Sequence, residues 1–385
     1  MMSVFKYFSP GCTLFGFGCI QGIRDEIRYR NLKKAFVVTD HKLRETEIVK
    51  KVTAVLASEG TAYCLFSEFK PNPTTANINC GAKEFVDNHC DFLISVGGGS
   101  AHDCAKAISV VTAGGGKIED YRGSDKSRRT YPLIAVTTTA GTGSECTLNY
   151  VVVDEKTKEK YGNGDRNVLP VLSVDDIELM MDMPASLTAG TGMDALTHAV
   201  EAYCSEDRAL ITSELAAAAV RLIFQHLENA TLRPDQESRE GMSVAQFLAG
   251  LAFGNAGCGL IHSMSHQLSA VYDLPHGLCN AVLMPVASRL NMKDQRAVER
   301  YALLGRSVFP LECSDMEAGQ QAEYLIDRIE ALSLTVGTKK SLTELGVREE
   351  DIPLLAEKTL HDASLRHNIY KPDKTEIEAA FRSLM

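Results

Sequence analysis

"DFLISVGGGSAHDCAKAISVVTA", residues 91–113, opens as a continuous apolar run, passes through three glycines and continues with helical spacing. Unbroken apolar strands are buried on both faces, the habit of a parallel sheet, and a strand that turns through glycine into a helix is half of a βαβ unit. The flanking chain repeats the alternation. "KAFVVTD" (34–40) and "AYCLFSEF" (62–69) read as strands, as does "YPLIAVTTT" (131–139), while "LRETEIVKKVTAVLASEG" (43–60) and the stretch 74–89 read as helices. After Pro184 the pattern changes. "SLTAGTGMDALTHAVEAYCS", "ALITSELAAAAVRLIFQHL" and "EGMSVAQFLAGLAFGNAG" are rich in Ala and Leu at helical period, and no strand is read down to Met385. The expected fold is an α/β N-terminal dinucleotide-binding domain with a parallel sheet, residues 1–183, followed by an all-α domain, residues 184–385.

Composition narrows the function. A chain of 385 residues with 45% hydrophobic and 23% charged residues is a globular protein of two domains. A formal charge of −10 speaks against a nucleic-acid binder or a cationic membrane-surface protein. The eleven cysteines are scattered, with no CxxC pair, and read as free thiols in a reducing compartment. No stretch reaches the roughly 18 uninterrupted apolar residues of a spanning helix. The mildly apolar start is broken by Pro10, Gly11, Gly16 and Gly18 and lacks the form of a signal peptide, so the cytoplasm is expected.

Two loops of the first domain have the chemistry of a nucleotide site. In "SVGGGSAHDCAK" (95–106), glycines at a strand–helix junction let backbone N–H groups approach a phosphate, and the helix start adds partial positive charge. The sixth position is His102, so the GxGxxG fingerprint fails, and a tight turn is the alternative, but the strand–glycine–helix context favours phosphate binding. "TTTAGTGSE" (137–145) follows another strand and is either a Ser/Thr/Gly turn or a second cofactor loop. Asp40 ends a strand, where a carboxylate either accepts from ribose hydroxyls and favours NAD over NADP, or is a surface residue.

The second domain gathers metal-binding side chains. Asp194 and His198 stand at i and i+4 in "GMDALTHAVEAY" (192–203), on one helix face among Leu196, Ala199 and Val200. "LIHSMSHQLSAVYDLPHG" (260–277) adds His262 and His266, again four apart, and His276 on a turn after Pro275. A hydrogen-bonded carboxylate–histidine pair without a metal is the plain alternative. Asp194, His198, His262 and His276 together form a mixed N/O set suited to Fe²⁺, Zn²⁺ or Mn²⁺, and no cysteine has matching spacing. His266 falls one turn from a ligand.

These motifs, with "PNPT" (71–74), "AGLAFGNAG" (249–257) and "TLNYVVVDEKTKEK" (147–160), resemble the iron-dependent (group III) alcohol dehydrogenases over nearly the whole chain, and most of all their propanediol, lactaldehyde and short-chain alcohol members. The resemblance implies the dehydroquinate synthase-like fold of that family, with NAD and Fe²⁺ as cofactors, a small alcohol or aldehyde as substrate, and a homodimer or larger homo-oligomer. It places the metal ligands at Asp194, His198, His262 and His276 and gives His266 a part in proton transfer or substrate binding. It assigns the pyrophosphate loop to Gly97, Gly98, Gly99 and Ser100, with Asp103 following. Further cofactor contacts fall on Asn72, Thr138, Thr139, Thr142, Lys160 and Leu179, and Asp40 matches the position tied to NAD preference. Asn149, Val151 and Phe253 are candidates for the substrate pocket, or else core and turn residues.

Two features depart from the family pattern. Its Asp-Pro after the sixth strand is Asp175–Asp176 here, and its "NPR" near the C-terminus is "RHNIYKP" (366–372). Arg366 and His367 are either surface residues or a greeting for an anionic aldehyde such as sulfoacetaldehyde. A lyase of the dehydroquinate-synthase type and a non-catalytic metal- or nucleotide-binding protein are the readings from other classes. The first calls for several basic residues beside the metal, and this region, rich in Ala, Met and Leu, has few.

Overall fold

The computed structural model describes residues 4–69, 72–157 and 159–385. The first three residues, Pro71 of the "PNPT" motif and Lys158 lie outside the described residues. The chain divides into two compact units. One comprises Phe8–Thr139 and Gly143–Asp182, and the other residues 4–7, Ala140–Thr142 and Met183–Met385.

The first unit is built on eight strands: β1 (Thr13–Gly16), β2 (Lys34–Thr39), β3 (Ala62–Phe66), β4 (Phe92–Gly97), β5 (Leu133–Thr137), β6 (Asn149–Asp154), β7 (Glu159–Gly164) and β8 (Leu172–Asp176). Six form one sheet in the order β1-β8-β5-β4-β2-β3, every pair parallel. Helices α1 (Ile23–Arg30), α2 (Glu47–Ser58), α3 (Thr75–Asp87) and α4 (Gly99–Gly114) belong to this unit. Alternate residues of β2 enter separate cores: Phe36 and Val38 join Phe66, Phe85 and Ile108, while Ala35 and Val37 join Val52, Ile94 and Val136. Both faces are covered, which is why the strand reads as a continuous apolar run.

Chain progression reverses between β2 and β4, the topological switch point where doubly wound sheets bind ligands beyond the strand C-termini. Asp40 follows β2, and Gly97–Gly99 close β4 and open α4.

β1 and β7 escaped sequence reading. β1 is a four-residue edge strand inside the glycine-broken N-terminus, and β6–β7 is an antiparallel hairpin. The Asp175–Asp176 departure has a structural reason: Asp176 accepts hydrogen bonds from the backbone N–H groups of Gly18 and Ile20, both at 3.0 Å, tying the turn after β1 to the end of β8.

The second unit contains α5 (Ala185–Cys204), α6 (Leu210–Leu232), α7 (Gln236–Ala256), α8 (Leu260–Tyr272), α9 (His276–Asn291), α10 (Gln295–Val308), α11 (Ala318–Thr335), α12 (Ile352–Leu360) and α13 (Lys374–Arg382). α5 is its central helix, packed on α6, α7 and α9. α6 has the length and hydropathy of a membrane span, yet it carries Glu214, Arg221 and Glu228 and packs on α5 and α7. Between α7 and α8 the chain bends by 102° through Gly257, Cys258 and Gly259. α8 stops at Asp273, whose left-handed backbone (φ 54°) caps its C-terminus. His276 is the first residue of α9 rather than a turn residue. A Cβ on Gly277 would fall 2.2 Å from the backbone oxygen of Gly190, so only glycine lets the start of α9 close on α5.

Lys106 pins the first unit internally. Wholly buried on α4, its Nζ donates to the backbone oxygens of Ser144 (2.6 Å) and Asn149 (2.8 Å) and lies 3.1–3.3 Å from the hydroxyls of Ser144 and Thr147. Burial lowers its amine to about 8, against the pull of Asp103. Lys106→Met strands these acceptors, each costing about 1–3 kcal/mol when buried unpaired. The variant should unfold at clearly lower denaturant concentration than the parent, and an unchanged midpoint would remove the pin from this account.

Candidate metal centre and nucleotide site

α5 presents three functional side chains on one stripe: Asp194, His198 at i+4 and Glu201 at i+7, each at most 6% exposed. Buried carboxylates of this kind need a positive partner. For Asp194 it comes from α8 and α9. Its Oδ1 lies 3.8 Å from His262 Nε2 and 3.6 Å from His276 Nε2. Two donors each about 2.1 Å from one tetrahedral ion stand about 3.4 Å apart, so the spacing suits a shared divalent cation.

The surrounding bonds aim these nitrogens. His262 Nδ1 lies 2.6 Å from Glu201 Oε2, and a carboxylate can only accept, so Nδ1 carries the proton and Nε2 is left as a ligand. Glu201 Oε1 accepts from the backbone N–H of Ile261 at 2.6 Å, anchoring α5 to the first turn of α8. His276 Nδ1 bonds Ser265 Oγ at 3.0 Å, which turns its Nε2 toward Asp194 in the same way. Asn280, one turn along α9 from His276, donates Nδ2 to Asp194 Oδ1 at 2.7 Å and lies 3.3 Å from both Nε2 atoms. Three acceptors thus converge on a single donor, as they would on a cation.

His198 stacks between Phe253 (ring centroids 3.9 Å) and His262 (4.5 Å), and its buried Nδ1 has no hydrogen-bond partner among the described residues. Electrostatics favour positive charge here. Burial raises the Asp194 carboxyl, but His198, His276 and His262 outweigh it and hold it far below the usual carboxylate range. Burial lowers His262, but Cys258, Glu201 and Asp194 outweigh it and lift the imidazole well above its ordinary range. Burial brings His198 down to about 4, so its lone pair stays available at neutral pH. A buried carboxylate, converging imidazoles and one orphaned ring nitrogen fit a divalent metal.

His266 differs from its neighbours. Its Nδ1 is bound to Asp362 Oδ2 at 2.9 Å, and it stacks on His276 at 5.3 Å. The side chains of His266 and His276 are 24% and 30% exposed against 3% for His262, so these two rings form the accessible edge of the cluster. Gln267 and the Ser364 N–H also donate to Asp362. Burial pushes the Asp362 carboxyl up, but His266 outweighs it and holds it ionised.

In the first unit the two suspected cofactor loops lie side by side. Gly97 pairs with Thr137, and the N–H of Thr138 donates to Gly97 at 3.0 Å. A Cβ on Gly98 would sit 3.0 Å from Thr139 Oγ1, a buried hydroxyl without a partner among the described residues, so glycine lets the two loops pack closely here. The amides of the first turn of α4 point the same way, and together these features fit a pyrophosphate. Asn72, in a left-handed conformation (φ 61°), donates its N–H to Ser100 Oγ and accepts from Lys160 Nζ at 2.9 Å, bringing three predicted residues into one chain of bonds. Asp40 uses Oδ1 to accept the N–H groups of Lys42 and Leu43, leaving Oδ2 without a protein donor among the described residues.

Other predicted residues have structural tasks. Asp103 accepts from Ser144 Oγ and the Val151 N–H, and Asn149 accepts from Lys106. Leu179 is 4% exposed within the sheet core, and Thr142 belongs to the helical unit. Glu201, Cys258, Asn280 and Asp362 were missed. Glu201 and Asn280 were findable from helical spacing to His198 and His276, whereas nothing local in the sequence ties Asp362 to His266, 96 residues away. The "RHNIYKP" segment is anchored by Asn368, whose Oδ1 caps the N–H of Leu260 at 3.1 Å. Arg366 is exposed and donates to His367, which is paired with Asp207.

Residues 10–177 match the family model for iron-containing alcohol dehydrogenase, and residues 188–385 match the C-terminal model of the Fe-containing alcohol dehydrogenase family. "Alcohol dehydrogenase 4" of Schizosaccharomyces pombe is 41% identical over 100% of this chain and 90% of its own length. The crystal structure of a 1,3-propanediol oxidoreductase superposes with a TM-score of 0.96 at 38% identity, covering 100% of both chains. A sulfoacetaldehyde reductase from Bifidobacterium kashiwanohense, solved with NAD⁺, is more distant, with a TM-score of 0.89 and 27% identity over 100% of this chain and 99% of its own. The chain belongs to the iron-containing alcohol dehydrogenase family. It is an oxidoreductase that works with NAD(H) and iron, as that family does, and the lyase and non-catalytic readings fall away.

Glu201→Gln tests the aim of His262. An amide nitrogen facing Nδ1 would force the ring proton onto Nε2, and loss of such a partner weakens metal binding by about 10–100-fold. Chelator competition should show that weakening with folding intact, and parental retention would refute the orienting role.

Proposed function

We propose that the chain interconverts a small, uncharged primary alcohol or diol and its aldehyde, with the nucleotide held by residues 1–183 and the metal by residues 184–385. The observation that carries this reading is the convergence of Asp194, His262 and His276 beside a partly exposed His266. When bound, a divalent cation polarises the substrate oxygen and NAD(H) exchanges the hydride. Asp194, His198, His262 and His276 hold the cation. His266 manages the proton: Asp362 fixes its Nδ1–H, so Nε2 is presented to accept the hydroxyl proton or return it, directly or through water. Phe253 packs against His198 and shapes the apolar wall. Gly97–Gly99, Ser100, Asn72, Thr138, Thr139 and Lys160 would hold the cofactor, with Asp103 bracing the Ser144 and Val151 segments beside them. Asp40 selects NAD through its unengaged Oδ2.

An anionic aldehyde is disfavoured. Arg366 is exposed and engaged with His367, itself paired with Asp207, so neither is set aside for a sulfonate. A cytoplasmic homodimer or larger homo-oligomer completes the reading.

Purified enzyme loaded with Fe²⁺ and given NADH should reduce short uncharged aldehydes faster than sulfoacetaldehyde, and the reverse order would overturn the substrate class. Asp362→Asn should lower kcat by about 10²-fold, the scale of one positioned acid–base group, with metal content unchanged. A parental kcat would exclude the dyad from proton transfer. Asp40→Gly should raise the ratio of NADP to NAD in kcat/KM, and an unmoved ratio would take the selecting role from Asp40.

A further inference from the structure

The reaction as derived leaves one metal-binding group beside the centre unused. Cys258 lies in the bend between α7 and α8, four residues before His262. Because that position precedes the first turn of α8, helical spacing from His262 does not reveal it. The fold nonetheless brings its Sγ within 4.8 Å of a ring nitrogen of His262. Cys258 Sγ, one nitrogen of His198 and one of His262 all lie within 4.8 Å of one another. The thiol is only partly exposed, and Glu201 holds His262 at Nδ1.

Two donor sets therefore overlap at His262. Asp194, His262 and His276 form a set of oxygen and imidazole donors, while His198, Cys258 and His262 form a softer one containing sulfur. Thiolate draws Zn²⁺, Co²⁺ and their thiophilic relatives more strongly than harder ions, so the two sets do not rank metals alike.

We propose that Cys258 is a metal ligand for thiophilic cations, engaged with His198 and His262 in a second donor set that competes with the Asp194 set for His262 and for the fourth ligand, His198. This rests on reading the histidine cluster as a metal centre. On binding, the thiol proton is released to solvent and a sulfur–metal bond forms, with no change of oxidation state. The identity of the resident ion then depends on which cation reaches the chain first and on how strongly sulfur retains it.

The test is spectroscopic. Full-length protein, stripped of metal and loaded without oxygen with one equivalent of Co²⁺, should show a near-ultraviolet thiolate-to-cobalt charge-transfer band. Cys258→Ala and the size-conserving Cys258→Ser should lose that band while still holding about one cobalt per chain by mass spectrometry of metal content. Cobalt bound to the parent with no such band, or a band that survives in both variants, overturns the proposal. Failure of the parent to bind cobalt at all would instead bring down the metal-centre reading and this inference with it.

Discussion

A carboxylate at 3% exposure cannot stay ionised in a protein interior without a compensating charge, and Asp194 is such a group in the middle of the most buried helix of its unit. Much of the helical unit follows from meeting that demand. α8 and α9 bring His262 and His276 to it, Gly277 lets α9 approach α5 at backbone distance, and Glu201 on the same helix fixes the tautomer of His262. A site that gathers one ionised oxygen and several imidazole nitrogens is complementary to a cation before it is anything else.

The nucleotide end obeys a different constraint. Parallel strands buried on both faces leave polar backbone only at their ends, and reversal of chain progression between β2 and β4 opens a crevice there. Glycine at position 98 lets its loop pack against Thr139, and the pairing of Gly97 with Thr137 sets the two loops in register. Lys106 and Asp103 act one layer behind, holding the Ser144–Asn149 segment against α4.

Legibility in the sequence followed this physics. The buried strands β2, β4 and β5 were evident because an apolar run has few alternatives, and the change to helix at Pro184 was clear from periodicity. β1 and β7 were not: β7 is polar, and β1 is short and tied to a partner distant in sequence, as Gly18 just after it is to Asp176. Within the centre, the candidate ligands spaced at i and i+4 were visible. His276 was placed on a turn because Pro275 and Gly277 flank it, although proline is also a natural neighbour of a helix start. Asp362 and Cys258 were invisible for the opposite reason: their places come from tertiary packing and a sharp bend, which no local pattern encodes.

The most direct test of the account is anomalous diffraction at the iron edge from crystals grown with Fe²⁺. The account predicts one peak per chain, within about 2.0–2.2 Å of a carboxylate oxygen of Asp194 and the Nε2 atoms of His262 and His276. A peak bound elsewhere, or full iron occupancy with Asp194 outside bonding distance, would contradict it.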